Sequence, residues 1–269
     1  MTVLQMYEKR PRLWIRNLVA IGVVTILLIW STTVMGDSSG AGESGAKVAV
    51  NILLGIFHPD LSFLFDFSSQ GVGYLLLETI SIAFLGTIVG FVFAIPFSFL
   101  GASNIVPRPI ALVFRISVMA IRTIPVFIYG LMFIRVTGPG PFAGLLTMAV
   151  SSIGMLSKMF IETIEDLDPH IIESLDAAGC TVFQKIRYGI IPQLAADFGS
   201  TLIYRFDMNL RDATVLGLVG AGGMGAPLLF AMSSYRWGQV GSILAGLGIL
   251  VLAVEYCSNR IRNRLIRGY

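Results

Sequence analysis

The chain has 269 residues, 55% of them hydrophobic and only 13% charged, about half the charged share of an ordinary soluble domain. That balance excludes a water-soluble globular fold and fits an integral membrane protein long enough for five or six helices of about 20 residues each. The formal net charge of +3 sits mostly beside apolar runs, so it reports on membrane orientation; nucleic-acid binding needs a basic patch on a soluble face, which the sequence lacks.

In chain order, the apolar runs predict six spans in one all-α polytopic domain covering 1–269: residues 14–35, 74–99, 110–134, 142–160, 194–210 and 237–257. Trp14 and Trp30 lie near opposite ends of the first span and Trp237 opens the last, where amphipathic rings settle at headgroup level. The first span has the basic start of a secretory signal, but its core is long and the exit Ser31-Thr-Thr-Val-Met-Gly36 is a poor cleavage site, so a retained helix is expected. The N-terminal segment holds Lys9, Arg10, Arg12 and Arg16, and the C-terminal tail holds Arg260, Arg262, Arg264 and Arg267. The loop 36–70 has a single Lys47 against Asp37, Glu43, Asp60 and Asp66. The positive-inside rule therefore predicts both termini in the cytoplasm and that loop outside. The glycine- and serine-rich start of the loop, 36–45, reads as mobile.

The second span carries Gly86 and Gly90 at G-x-x-x-G spacing, which permits close helix contact. The third holds Arg115 and the segment Arg122-Thr-Ile-Pro125, a charge beside a helix breaker. An arginine at mid-bilayer costs roughly 2.5–3.5 kcal/mol on insertion scales, so it faces a partner or a cavity. Arg115 reads as structural; for Arg122, and for Arg205 and Arg211 of the fifth span, two roles stay open, locking helices together or lining a path for an anion. Asp207 and Arg211 are four apart and can pair on one helix face.

Between the fourth and fifth spans lies a polar stretch, 162–192, cytoplasmic by the six-span count. Asp168 can cap a short helix opened by Pro169, and Gly179 can end it in the left-handed conformation. Thr181 with Gln184 reads as a capping box for a second short helix running towards Pro192. The first helix gathers Ile171, Ile172, Leu175 and Ala178 on one side, and another protein is the obvious cover for such a face. After the fifth span, five glycines fall between Gly217 and Gly225. A straight helix is not expected there, and non-helical backbone at membrane depth needs protein or a water-filled cavity around it. Gly222 and Gly223 are therefore candidates for a re-entrant or gating element. The same run satisfies G-x-G-x-x-G, yet the next acidic residue is Glu255, inside the last apolar span, so no dinucleotide site is expected. No P-loop occurs. Cys180 and Cys257 map to the cytoplasmic side, where a disulfide is not expected, and His58 and His170 have no ligand cluster beside them. No cofactor or metal is expected, and no nucleophile, base or metal constellation marks an enzyme.

The stretch after Asp168 resembles the signature of binding-protein-dependent ABC importer permeases: Glu-Ala-Ala, three residues, Gly, nine residues, Ile, any residue, Leu-Pro. Glu173, Gly179 and Pro192 stand in register, whereas Ser174 and Leu175 replace the alanines, Gly189 the isoleucine and Ile191 the leucine. Three further blocks resemble the phosphonate-importer branch of that family: Gly138 to Gly144, Gly154 to Lys158, and Tyr204-Arg-Phe with Arg211 to Gly225. The resemblance implies the ABC importer type I permease fold in a bacterial cell membrane. It implies a translocation path for phosphonate or a related small phosphorus oxyanion, and a coupling surface at Glu173, Asp176, Ala177, Ala178, Gly179 and Pro192. The partners it implies are cytoplasmic ATP-binding subunits, an extracytoplasmic substrate-binding protein and a second permease subunit. The alternatives are an ABC importer permease for another small solute, or a secondary transporter working without ATP, although inverted repeats are not visible.

Overall fold

In the computed structural model, residues 13–35, 42–68 and 71–267 are described. They are helical, with no strand among them, so the fold is all-α. The chain divides into two compact units, Met1–Leu53 and Leu54–Tyr269. The first holds α1 (Leu13–Met35), whose apolar side chains from Leu18 to Trp30 stay exposed for lipid to cover, and the start of α2 (Gly42–Phe57). Part of the stretch expected to be mobile is helical: a helix begins at Gly42, while residues 36–41, and Lys9, Arg10 and Arg12, lie outside the described residues.

In the second unit, Asp60 caps α3 (Leu61–Leu64) by accepting from the Ser62 and Phe63 N–H groups. Two long helices form its centre, α4 (Val72–Gly101) and α7 (Pro141–Glu165). They run parallel and touch along their length, Gly86 beside Met148, Gly90 beside Ser152, and the Ser157 hydroxyl donating to the Ala94 carbonyl at 3.4 Å. A Cβ on Gly86 would meet Met148 Cβ at 2.4 Å, and one on Gly90 would meet Ser152 Cβ at 2.4 Å and the Ala149 carbonyl at 2.9 Å. The glycine pair is what lets the two backbones approach. Gly90→Ala is therefore expected to destabilise by about 1–3 kcal/mol, read as a lower melting temperature of the detergent-solubilised protein. An unchanged melting temperature would show that the helices can part there freely.

The expected third span is not one helix. It is α5 (Arg108–Thr123) and α6 (Val126–Thr137), bent by 84° at Ile124 and Pro125. The cause is local: Pro125 donates no N–H, and its ring pushes Ile124 into extended backbone, φ −86° and ψ 122°. The Tyr129 hydroxyl spans the break by donating to the Ile121 carbonyl at 3.0 Å.

A second departure comes after α8 (Pro169–Ala177) and α9 (Val182–Gln184). The sequence reading stops a helix at Pro192, but the chain passes from α9 through a π-helical turn, Lys185–Ile190, into α10 (Ile191–Leu218) without a break. Pro192 offers no N–H to the carbonyl of Tyr188 and crowds it; the wider π turn takes up that defect, as such turns commonly do at functional sites. Then follow α11 (Gly225–Ser233) and α12 (Trp237–Arg267), which runs ten residues past the expected span.

By length and composition α4, α7 and α12 can each cross a membrane, and α5 with α6 passes the same test only as a pair, a broken span or a re-entrant loop. Helix α10 is long enough but carries Asp197, Arg205, Asp207, Arg211 and Asp212, which its neighbours must absorb. Three apolar clusters stack along the second unit. One joins Val72, Leu75, Met224 and Ile243, the next Ile82, Met148, Leu210 and Leu216, and the last Leu156, Phe160, Ile164, Leu194 and Phe198. The order follows from the parallel run of α4 and α7: their N-terminal ends meet the glycine run, and α7's C-terminal end meets the polar loop. Those two candidate elements therefore sit at opposite ends of the bundle.

Candidate functional site

The polar loop is built by its own sequence. Asp168 accepts from the His170 N–H at 3.0 Å, and Pro169 takes the first helical position. Gly179 adopts φ +73°, the Gly179 N–H donates to the Asp176 carbonyl at 2.9 Å and the Cys180 N–H to the Leu175 carbonyl at 3.0 Å. This pair of bonds is a Schellman stop. The Gln184 N–H donates to Thr181 Oγ1 at 3.4 Å while the Thr181 N–H donates to Gln184 Oε1 at 2.8 Å, closing the capping box. An ion pair between Asp176 and Lys185 ties the two arms together.

The loop's apolar side needs no outside cover. Ile171, Ile172 and Ile186 pack half-buried onto the cluster of Phe160, Ile164, Leu194 and Phe198. Leu175 lies over Gly189, where a Cβ would stand 2.3 Å from Leu175 Cδ1. Two departures from the family signature thus meet each other: the large residue in place of alanine fills the space left by glycine in place of isoleucine. What the loop presents outward is a different set. Glu173, Asp176, Ala177, Ala178, Gly179 and Pro192 are exposed, Glu173 also reaching His170 Nδ1 at 3.4 Å. Beside them Val182, Phe183 and Tyr188 are exposed, Phe183 at 68%. Sequence reasoning missed this second patch, whose signal was an aromatic residue inside a capping box in a water-facing loop.

Nothing lies within 4 Å of a Cβ placed on Gly179, and aspartate is among the residues that tolerate the left-handed region best. Gly179→Asp is expected to cost only about 1 kcal/mol of stability, leaving expression and solubilised yield near wild type. On the coupling role that the family resemblance implies for Gly179, transport in intact cells is expected to be lost, and unimpaired transport would detach this turn from that role.

Inside the bundle the arginines separate clearly. Arg205 is 3% exposed. Its Nε donates to Ser152 Oγ at 3.1 Å, its Nη2 to Ser151 Oγ at 2.7 Å and its Nη1 to Met155 Sδ at 3.0 Å. One turn on, Asn209 Nδ2 donates to Ser152 Oγ at 2.8 Å and to Thr87 Oγ1 at 2.7 Å, so a polar knot joins α4, α7 and α10 at mid-length. Asn209 was legible as the residue four after Arg205, on the same face. Arg211 donates to Asp207 Oδ2 at 2.8 Å, the expected pair, and lies 3.5 Å from Glu255 of α12. Arg115 is bound by Glu165 and donates from Nε to the Gly101 carbonyl at 2.8 Å. Arg122 is exposed and has no hydrogen bond or ion pair among the described residues.

The glycine run folds back on the bundle. Gly220, Gly222 and Gly223 have φ of +94°, +83° and +74°. The Gly223 N–H donates to Glu78 Oε1 at 2.9 Å, the Met224 N–H to Thr79 Oγ1 at 3.2 Å and the Gly140 N–H to the Gly220 carbonyl at 2.8 Å. A Cβ on Gly222 would meet Pro141 at 2.7 Å, and one on Gly217 would meet the Gly225 backbone at 2.5 Å. Glu78, in the first third of α4, is the anchor that sequence reasoning passed over, although a lone carboxylate in an apolar span is a signal. No group of three metal-ligating side chains occurs among the described residues.

A family model described as the binding-protein-dependent transport system inner membrane component matches residues 94–269. The chain is 34% identical over 189 residues to the phosphite transport system permease protein PtxC of Stutzerimonas stutzeri, which covers 70% of this chain and 69% of that one. It is 32% identical over 191 residues to the phosphate-import permease protein PhnE of Mycolicibacterium smegmatis, covering 70% of this chain and 36% of the relative. A solved chain of the MetNI methionine ABC transporter superposes with a TM-score of 0.61 at 21% identity, over 72% of this chain and 95% of the other; this is a likeness of fold. With the capped loop at one end, the glycine fold-back at the other and several apolar helices between, the chain belongs to the family of binding-protein-dependent transport system inner membrane components, the membrane-embedded permease subunits of ABC importers.

Proposed function

We propose that this chain forms the translocation path of an ATP-driven importer for phosphonate, phosphite or a related small phosphorus oxyanion. Both termini and the loop between α7 and α10 face the cytoplasm of a bacterial cell, and the outer segment and the glycine fold-back face away from it. Two cytoplasmic ATP-binding subunits dock on the loops of two permease subunits, and an extracytoplasmic binding protein delivers the solute. The relatives named for phosphite and phosphate support the substrate class.

The observation that carries the coupling reading is the loop's two-sidedness. Ile171, Ile172 and Ile186 brace it against α7 and α10 and Leu175 covers Gly189, while Glu173, Gly179, Val182, Phe183 and Tyr188 are left exposed. A partner pulling on such a loop moves both long helices, because packed helices shift as bodies rather than deform. Gly222 and Gly223, pinned to Glu78 and Pro141, then serve as part of the outer gate. The test is uptake by proteoliposomes holding the complete importer, with phosphite, methylphosphonate and phosphate as solutes. Uptake that needs ATP and the binding protein supports the reading; uptake by the chain alone without nucleotide ends it.

A further inference from the structure

Arg122, which has no ion pair among the described residues, sits beside two paired positions, Arg115 with Glu165 and Lys158 with Glu162. Helices α5 and α7 run antiparallel, Arg115 meeting Glu165 at one level and the Arg122 stem crossing Gly154 at another, where a glycine Cβ would touch Arg122 Cγ at 2.9 Å. Gly154 is the fourteenth of the 25 residues of α7, so Arg122 stands near the middle of a helix about 37 Å long. Lys158 is one turn further along the same α7 face, and Glu162 one turn beyond it. Arg115, Val118, Met119, Arg122, Lys158 and Glu162 line a cavity of ≈ 210 Å³, smaller than the roughly 300–1,000 Å³ that drug-sized ligands occupy.

An unpaired guanidinium at this depth is too costly to face lipid, so it faces water or a partner. Lys158 and Glu162, both about half exposed and 3.1 Å apart, continue the same polar face, which marks it as the wall of a wet cavity. We propose that Arg122 and Lys158 form a mid-membrane resting site for a small tetrahedral oxyanion, the guanidinium taking two oxygens and the ammonium a third. This deepens the transport reading and rests on it. It also moves the anion contact away from Arg205, whose donors are engaged within the chain, and from Arg211, which two carboxylates hold, whereas Lys158 is held by one and Arg122 by none. Glu162 and Glu165 cancel two of the three positive charges, which keeps the hold weak, and a path needs a site that lets its ion go.

The experiment compares wild type, Arg122→Gln, Lys158→Gln and Arg122→Lys in proteoliposomes of the complete importer, with phosphite as the solute. Both glutamine variants are expected to lower phosphite uptake about tenfold or more, a loss of about 1.4 kcal/mol. ATP hydrolysis stimulated by the binding protein stays within about twofold of wild type, and the lysine variant keeps a substantial part of the uptake. Where a glutamine variant assembles poorly, Arg122→Cys in a background lacking Cys180 and Cys257 replaces it; a cationic thiol reagent is expected to restore uptake and an anionic one not. Uptake by the glutamine variants equal to wild type overturns the site. So does a defect seen only in vesicles containing phosphatidylglycerol and absent in pure phosphatidylcholine, which would make the pair a lipid-headgroup contact. Wild type that takes up no phosphorus oxyanion defeats the substrate reading instead, so the two failures are told apart.

Discussion

Arg205→Glu is expected to abolish the assembled protein, whereas Arg205→Met is expected to assemble and still transport. The guanidinium is buried at mid-length of α10 and held by two serine hydroxyls and a methionine sulfur. Among the described residues no carboxylate lies within 4.0 Å of it; Asp212, two turns on, is the carboxylate whose charge acts on it. A glutamate there adds a second negative group facing Asp212, in a place water does not reach, and an uncompensated buried charge costs about 3–5 kcal/mol. Methionine fills similar volume and leaves Ser151 and Ser152 able to bond their own helix carbonyls, so its cost is about 1–3 kcal/mol. Size-exclusion profiles of the solubilised protein, with uptake normalised to assembled complex, separate the roles. If Arg205→Met assembles normally but loses uptake, the residue contacts the solute and the knot is not its purpose.

Local rules read the polar loop well, because Asp168, Pro169, Gly179, Thr181 and Gln184 act through bonds that span five residues or fewer. The Asp207–Arg211 pair was legible for the same reason. Long-range cover was not. The side of α8 bearing Ile171 and Leu175 announces that it is apolar, but hydrophobic spacing does not say whether the chain or a partner covers it; here the chain does. Gly189 and Leu175 each read as a departure from the signature, and only their contact shows that one accommodates the other. Pro125 and Pro192 show the limit of single-residue signals. Pro125 breaks its helix by 84°. Pro192 does not break its own, because the π turn before it widens the spiral. The Gly154 block shows the converse: the sequence displays it as a family likeness, and its physical use, admitting the Arg122 stem, appears only when α5 is laid across α7.

Phe183→Asp is the sharpest test of the proposed docking surface, because its effect on the fold runs opposite to its expected effect on transport. Phe183 is the second residue of α9, just after the Thr181 cap, and its ring is 68% exposed. An aspartate in the first turn of a helix is favoured by the partial positive charge there, by about 0.3–1 kcal/mol. The variant should therefore melt no lower than wild type. A buried aromatic anchor at an interface, however, is worth about 2 kcal/mol or more on truncation, and a charge in its pocket adds a desolvation cost. The ATPase is expected to bind at least about 30-fold more weakly, and solute uptake to fall with it, while Phe183→Tyr keeps most of both. Affinity of the ATPase for the detergent-solubilised permease, beside the melting temperature, reads the two effects separately. A stable Phe183→Asp protein that still holds its ATPase would move the docking surface off α9 and back to Glu173 and the exposed end of α8.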